Sequence, residues 1–200
     1  MEIIDCPQYS EQWFQETLAS VGGSSISSVC AKGQGKMRKN LLYRMAGEYL
    51  TGKPYEGYSN FNMERGLEEE GKSLEAYELI TGFEIQKVGL CRREPHKHYS
   101  PDGLIHSDGI AETKSAIPSI HIERIDTDKV EGNYIKQMQW GLFICERTWC
   151  DFISYSPLVS VRPIWVKRFF RDEKLIKEMN DECDKFIKDL LEITNRIKRT

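Results

Sequence analysis

The chain has no cysteine pair at C-x2-C spacing, no long apolar run, no excess of basic residues, no internal repeat and no low-complexity stretch. Each absence excludes a class of protein. The six cysteines, Cys6, Cys30, Cys91, Cys145, Cys150 and Cys183, are scattered, which argues against a zinc ribbon or iron–sulfur cluster and for free thiols in a reducing compartment. No apolar run approaches the roughly 18 residues of a membrane span, and the acidic start, Met1-Glu2-Ile3-Ile4-Asp5, is not a signal peptide. A cytoplasmic protein without a membrane partner is expected. A net charge of -3 argues against indiscriminate coating of nucleic acid, but local basic surface remains. Basic residues gather at Lys32, Lys36, Arg38, Lys39 and Arg44, at Arg92, Arg93 and Lys97, and at Lys167, Arg168 and Arg171. Gly35-Lys36 does not close an ATPase-type phosphate loop: Cys30 stands where its first glycine belongs and Met37 where Ser or Thr is required.

What is present reads as one α/β domain spanning residues 1–200. Helices are expected over Asn40–Leu50, Asn62–Thr81, Tyr134–Glu146 and Asp172–Ile197, where apolar residues recur at helical spacing. Strands are expected over Phe83–Arg93, broken near Gly89, and over Trp149–Tyr155 and Val161–Phe170, with Pro163 pushing the last toward an edge. Residues 116–132 read as a polar loop. His96 and His98 read as exposed loop residues, and His106 and His121 as unremarkable.

Chemistry concentrates in Tyr99–Ser115, Y-S-P-D-G-L-I-H-S-D-G-I-A-E-T-K-S. The turn signal Ser107-Asp108-Gly109 makes this a hairpin. Side chains alternate across a strand, so Glu112 and Lys114 share a face, and the hairpin can bring Asp102 beside them. Two carboxylates and an ammonium converging in this way suit Mg2+, which takes hard oxygen ligands and keeps waters or phosphate oxygens elsewhere. Phosphodiester hydrolysis is the chemistry such a set performs. Taken alone, the same pattern also fits a surface hairpin with a salt bridge.

Two further positions stand out. In the helix before the hairpin, Met63, Leu67, Leu74 and Tyr77 form an apolar stripe that includes Glu70, and a carboxylate facing a core is costly unless paired or metal-bound. A rim position open to solvent would also accommodate it. The stretch Val21–Ser28 is rich in glycine and serine, so Ser24 or Ser25 could cradle a phosphate or simply cap a helix.

S-P-D-G-L followed by E-T-K resembles the motif of the PD-(D/E)xK nuclease superfamily, in the branch containing lambda exonuclease and the YqaJ-type viral recombination nucleases. The likeness runs from Trp13 to about Pro157. It implies a restriction-endonuclease-like fold, a central mixed β-sheet flanked by α-helices. It also implies that Asp102, Glu112 and the main-chain carbonyl of Thr113 hold Mg2+, for which Mn2+ can substitute. Glu70, in a G-x3-E context with Gly66, would complete the site directly or through water. Lys114 would orient the attacking water. Gln137 and Tyr134, from Y-x2-Q-x-Q, would steady the nucleophile or the scissile phosphate.

Trp13, Ser24 and Ser100 match residues that the family uses near a terminal 5'-phosphate. Thr17, however, stands where the family has an arginine, so that phosphate must be held by other basic residues or more weakly. The activity implied is 5'-to-3' digestion of double-stranded DNA from its ends by a homotrimer, leaving a 3' strand for a single-strand annealing protein in a bacterial host. An endonuclease of restriction or repair type and a non-catalytic DNA-binding module stand as alternatives.

Overall fold

The computed structural model describes residues 1–31, 35–55 and 60–199, the side chains of 60–68 excepted. Lys32 of the first basic cluster therefore lies outside the described residues, as do the side chains of Met63 and Leu67 and the G-x3-E reading of Gly66. In chain order the elements are β1 (Glu2–Ile4), α1 (Glu11–Thr17), α2 (Gly23–Val29), α3 (Lys36–Thr51), α4 (Asn60–Thr81), β2 (Ile85–Gln86), β3 (Leu90–Glu94) and β4 (Lys97–Tyr99). There follow β5 (Gly103–Ile105), β6 (Gly109–Ser115), α5 (Pro118–Thr127), α6 (Gly132–Ile144), β7 (Trp149–Tyr155), β8 (Ile164–Phe170) and α7 (Glu173–Lys198).

A five-stranded sheet in the order β2-β5-β6-β7-β8 carries the architecture, with a three-stranded sheet β1-β3-β4 beside it. β6 and β7 pair in parallel and their neighbours antiparallel, so the main sheet is mixed. β6 lies at its centre and is buried from Gly109 to Thr113, as a strand covered on both faces must be.

Alternation sorts the sheet into two cores. Ile110, Cys150, Phe152 and Trp165 pack with Met138, Trp140 and Leu142 of α6 and with Ile176, Met179 and Phe186 of α7. Ala111, Trp149 and Ile153 pack on the other face with Leu74 and Tyr77 of α4. The helix-flanked mixed sheet expected from the sequence is therefore present. α7 follows its apolar stripe, with Asp172 as the N-cap accepting from the Leu175 N–H at 3.0 Å.

Several boundaries differ from expectation. The strand over Phe83–Arg93 is two strands in different sheets, β2 and β3. Lys97 and His98 belong to a buried strand rather than an exposed loop. Residues 116–132 contain α5, which has Pro118 in its first turn. That helix buries His121 and Arg124 and exposes Ile122, so it carries no apolar stripe to announce it. β8 begins at Ile164, after Pro163, and forms the expected edge.

Candidate active site

The β5–β6 hairpin pairs Gly103 with Ala111 and Ile105 with Gly109, which brings Asp102, just before β5, to the level of Glu112 and within reach of Thr113. Asp102 Oδ2 accepts the Thr113 N–H at 2.7 Å. Glu112 lies two residues before Lys114 on the same face, fully buried, and Lys114 donates to its Oε1. Gln137 of α6 donates to the same oxygen at 2.6 Å, while Tyr99 donates its hydroxyl to Oε2. Tyr134 presents its ring to Lys114, whose Nζ is 5.5 Å from the ring centroid.

Asp102, Glu112, Lys114, Gln137 and Tyr134, all singled out in the sequence, are thus brought together. Asp102, Lys114, Tyr134 and Gln137 line one cleft of about 470 Å³ with Trp13, Ser24 and Ser100. Ser100 accepts from Trp13 Nε1 at 2.8 Å. Ser25 is the helix-capping serine of that stretch, exchanging hydrogen bonds with the Gly22 backbone at 3.0 and 2.9 Å, and exposed Ser24 faces the cleft.

Glu70 lies near the cluster but paired: its carboxylate is 3.6 Å from Lys87 Nζ and its side chain is 16% exposed. Burial first, and then the charge of Glu112, push its carboxyl upward against the pull of Lys87 and Lys114. Asp102 is pushed well above the usual carboxylate range, first by the surrounding protein and then by Glu112, with Glu70 adding and Lys114 opposing. Burial would lower Lys114, but the carboxylates of Glu112 and Asp102 outweigh it and hold the ammonium protonated.

Asp102 and Glu112 crowd Lys114 while Glu70 pairs with Lys87, so three carboxylates face two ammonium groups, and their oxygens are the hard donors that Mg2+ takes. The residues therefore fit the ion. Among the described residues no three His, Cys, Asp or Glu side chains form a ready cage. The fit is thus to Asp102, Glu112 and the Thr113 carbonyl, with Glu70 at one remove.

Sequence reasoning missed several supports. Tyr99 gave no signal, because a tyrosine in a strand is ordinary. Its ring is clamped so tightly that a Cβ on Gly23 or Gly141 would stand 2.5 or 2.6 Å from it. The close approach allowed by Gly141 is therefore to this ring. The Thr113 hydroxyl turns away toward Ser73 of α4. Arg124 stacks on Phe152 and Tyr134 at 5.2 and 5.6 Å and is held by Glu131 at 2.7 Å. His121 is sealed beside it on Ser154, at 2.9 Å.

The second and third basic clusters are engaged by protein acids. Arg92 pairs with Glu16, buried Lys97 with Glu94 and Asp184, Lys167 with Asp128, Arg168 with Asp151, and Arg171 with Glu173. All six cysteines are free. No helix among the described residues is long and apolar enough to cross a membrane.

The sequence matches the YqaJ-like viral recombinase domain over residues 12–148. No curated protein matches it. Among solved structures, LHK-Exo in complex with dAMP is 34% identical, with a TM-score of 0.88 over 95% of this chain and 97% of that one. LHK-Exo, an alkaline exonuclease from Laribacter hongkongensis, is 32% identical in a second structure, with a TM-score of 0.86 over the same shares. A phage related exonuclease from Haemophilus somnus 129PT is 17% identical, with a TM-score of 0.70 over 89% of this chain and 96% of that one, a likeness of fold. The architecture is the restriction-endonuclease-like fold anticipated from the motif.

Proposed function

The chain belongs to the YqaJ-like viral recombinase family, and on that premise we propose that it is a Mg2+-dependent exonuclease that digests one strand of duplex DNA from its 5' end and leaves a 3' overhang. The coarser statement, a nuclease of exonuclease type, is supported by the family and by the likeness to LHK-Exo along nearly the whole chain. LHK-Exo binds dAMP, and a nucleoside monophosphate is what stepwise hydrolysis of DNA from an end releases.

The observation that carries the reading is that Asp102 and Lys114 line one cleft while Glu112, buried, accepts from Lys114 directly behind it. Asp102, Glu112 and the Thr113 carbonyl would hold Mg2+, with Glu70 completing the site directly or through water, and the ion would supply Lewis acidity toward a phosphoryl oxygen and acidify a water; Mn2+ would substitute. Lys114 lines the cleft beside Glu112. Its role is to donate a hydrogen bond and set its charge against that developing on the phosphate. Gln137 and Tyr99 fix the Glu112 carboxylate from both oxygens, so the group does not reorganise during the reaction. The Tyr134 ring keeps the ammonium in place. Ser24 and Ser100 lie on the cleft wall where the strand's terminal phosphate would sit.

Duplex DNA ends are the proposed substrate. Assembly as a homotrimer, and delivery of the 3' strand to a single-strand annealing protein in the bacterial cytoplasm, belong to the same reading. A time course on 5'-labelled, 3'-labelled and covalently closed circular duplexes, with and without Mg2+, tests it. Early loss of the 5' label with an intact circle is expected. Cleavage of the circle makes the protein an endonuclease, and hydrolysis in EDTA removes the metal.

A further inference from the structure

Arg124 of α5 is a buried charge with no part in the chemistry described above, only 6% of its side chain being exposed. Every nitrogen of its guanidinium is engaged. Nε and one terminal nitrogen fork onto the two oxygens of Glu131 at 3.2 and 2.7 Å, and the other donates to Ser154 Oγ at 3.0 Å. Ser154 of β7 pairs with Lys114 of β6. Glu131 opens α6, its carbonyl accepting the N–H groups of Tyr134 and Ile135. One side chain thus ties α5 both to the start of the helix that carries Tyr134 and Gln137 and to the strand beside Lys114.

The face of the guanidinium makes a second connection. Its central carbon lies 5.6 Å from the centroid of the Tyr134 ring, the ring that Lys114 Nζ approaches to 5.5 Å. Phe152, 5.8 Å away between centroids, is the other support of that ring. A lysine ammonium on a flexible stem has many rotamers, and an aromatic face restricts them only if the ring is itself held. Stability alone is weak ground for an arginine here, because apolar residues often replace a buried ion pair without loss.

We propose that Arg124 is a positioning residue: by fixing the Tyr134 ring and the first turn of α6, it sets the Lys114 ammonium toward the phosphate and Gln137 against Glu112. The proposal rests on the nuclease reading above and adds what holds its lysine in register. Arg124 does not itself line the cleft, so it acts through Tyr134.

The test compares wild type with Arg124→Met, Arg124→Lys and Glu131→Gln, the last altering a side chain that is 43% exposed and dispensable to the core. Digestion of linear duplex in Mg2+ gives kcat and KM, and circular dichroism melts set a temperature at which every variant is folded. Arg124→Met is expected to lose about tenfold to hundredfold in kcat, the cost of a small misplacement at a reacting centre, with KM little changed. Arg124→Lys and Glu131→Gln should fall between. In a Tyr134→Leu background the loss from Arg124→Met should shrink, because the two act through one ring. Independently of turnover, NMR of lysine-labelled protein follows the Lys114 side chain, whose signal is assigned from its absence in Lys114→Met. The ring displaces that signal from those of exposed lysines, and Arg124→Met should return it toward them.

A kcat close to wild type in every folded variant, with the Lys114 signal unmoved, leaves Arg124 a clamp for the fold alone and overturns the proposal. Losses that simply multiply in the Tyr134→Leu background overturn it too. A wild type that digests no duplex, with a Lys114 signal that moves in Arg124→Met, supports the hold of Arg124 on the lysine and overturns the nuclease reading instead.

Discussion

Tyr99 donates its hydroxyl to Glu112 where neither side chain meets solvent. The bond secures one oxygen of the carboxylate from behind, while Lys114 and Gln137 secure the other. Tyr99→Phe keeps the ring between Gly23 and Gly141 and removes only the donor. Leaving a buried acceptor unpaired costs about 1–3 kcal/mol. The melting temperature should fall, and hydrolysis of linear duplex should drop about tenfold or more. Unchanged melting and rate together would make the hydroxyl incidental.

Asp102→Ala and Lys114→Met each remove part of the charge arrangement that faces the phosphate. Loss of one preorganised electrostatic group lowers turnover by about 10²–10³-fold. Duplex binding in EDTA should persist, since binding draws on the rest of the cleft. Hydrolysis at the wild-type rate in Asp102→Ala would eliminate the site.

Asp151 is a buried carboxylate with a different task. It accepts from Arg168 at 2.7 and 2.8 Å and from the Tyr77 hydroxyl at 2.7 Å, on the face of the sheet away from Glu112. Arg168 keeps 38% of its side-chain surface, so the cost of Asp151→Asn lies between that of a surface and a buried pair, about 2–3 kcal/mol. Chemical denaturation should register that loss. Turnover by the folded variant in the cold should match wild type; a loss as deep as that of Asp102→Ala would place Asp151 in the chemistry.

His98 gives stability a pH dependence. Burial, reinforced by Arg92, pushes its imidazole down to about 4. Between that value and the ordinary 6.5 the unfolded chain binds a proton that the folded chain refuses, so stability falls as pH drops through this window. The total is about 3 kcal/mol. Urea melts of wild type and His98→Gln at pH 7, 5.5 and 4.5 should converge on acidification, and parallel profiles would show that His98 titrates normally.

The chemistry of the hairpin was legible because it is local. Asp102, Glu112 and Lys114 lie within one β-hairpin, and a strand's alternation assigns the faces of Glu112 and Lys114 without knowledge of the rest of the chain. α6 and α7 were legible for a similar reason: their apolar residues repeat at helical spacing. α5 was not, because its inward residues, His121 and Arg124, are polar and satisfied only by Ser154, Arg162 and Glu131 from other elements. The burial of Lys97 and His98 was hidden likewise, since α7 supplies Asn180 and Asp184 to Lys97 and Ser20 receives the His98 ring. Side chains whose partners come from distant segments carry no periodic signature. Tyr99 belongs to that group, which is why the sequence pointed to the candidate carboxylates and lysine and not to the hydroxyl behind Glu112.

β6 sits between β5, its hairpin partner, and β7, which enters in parallel only after α5 and α6, with Glu112 opposite Phe152. A ribosome that has released the hairpin but not residues 149–155 has therefore made the reacting groups without one wall of their sheet. The catalytic strand reaches its final burial only when a late segment docks, so a truncated or half-synthesised chain should leave DNA unharmed.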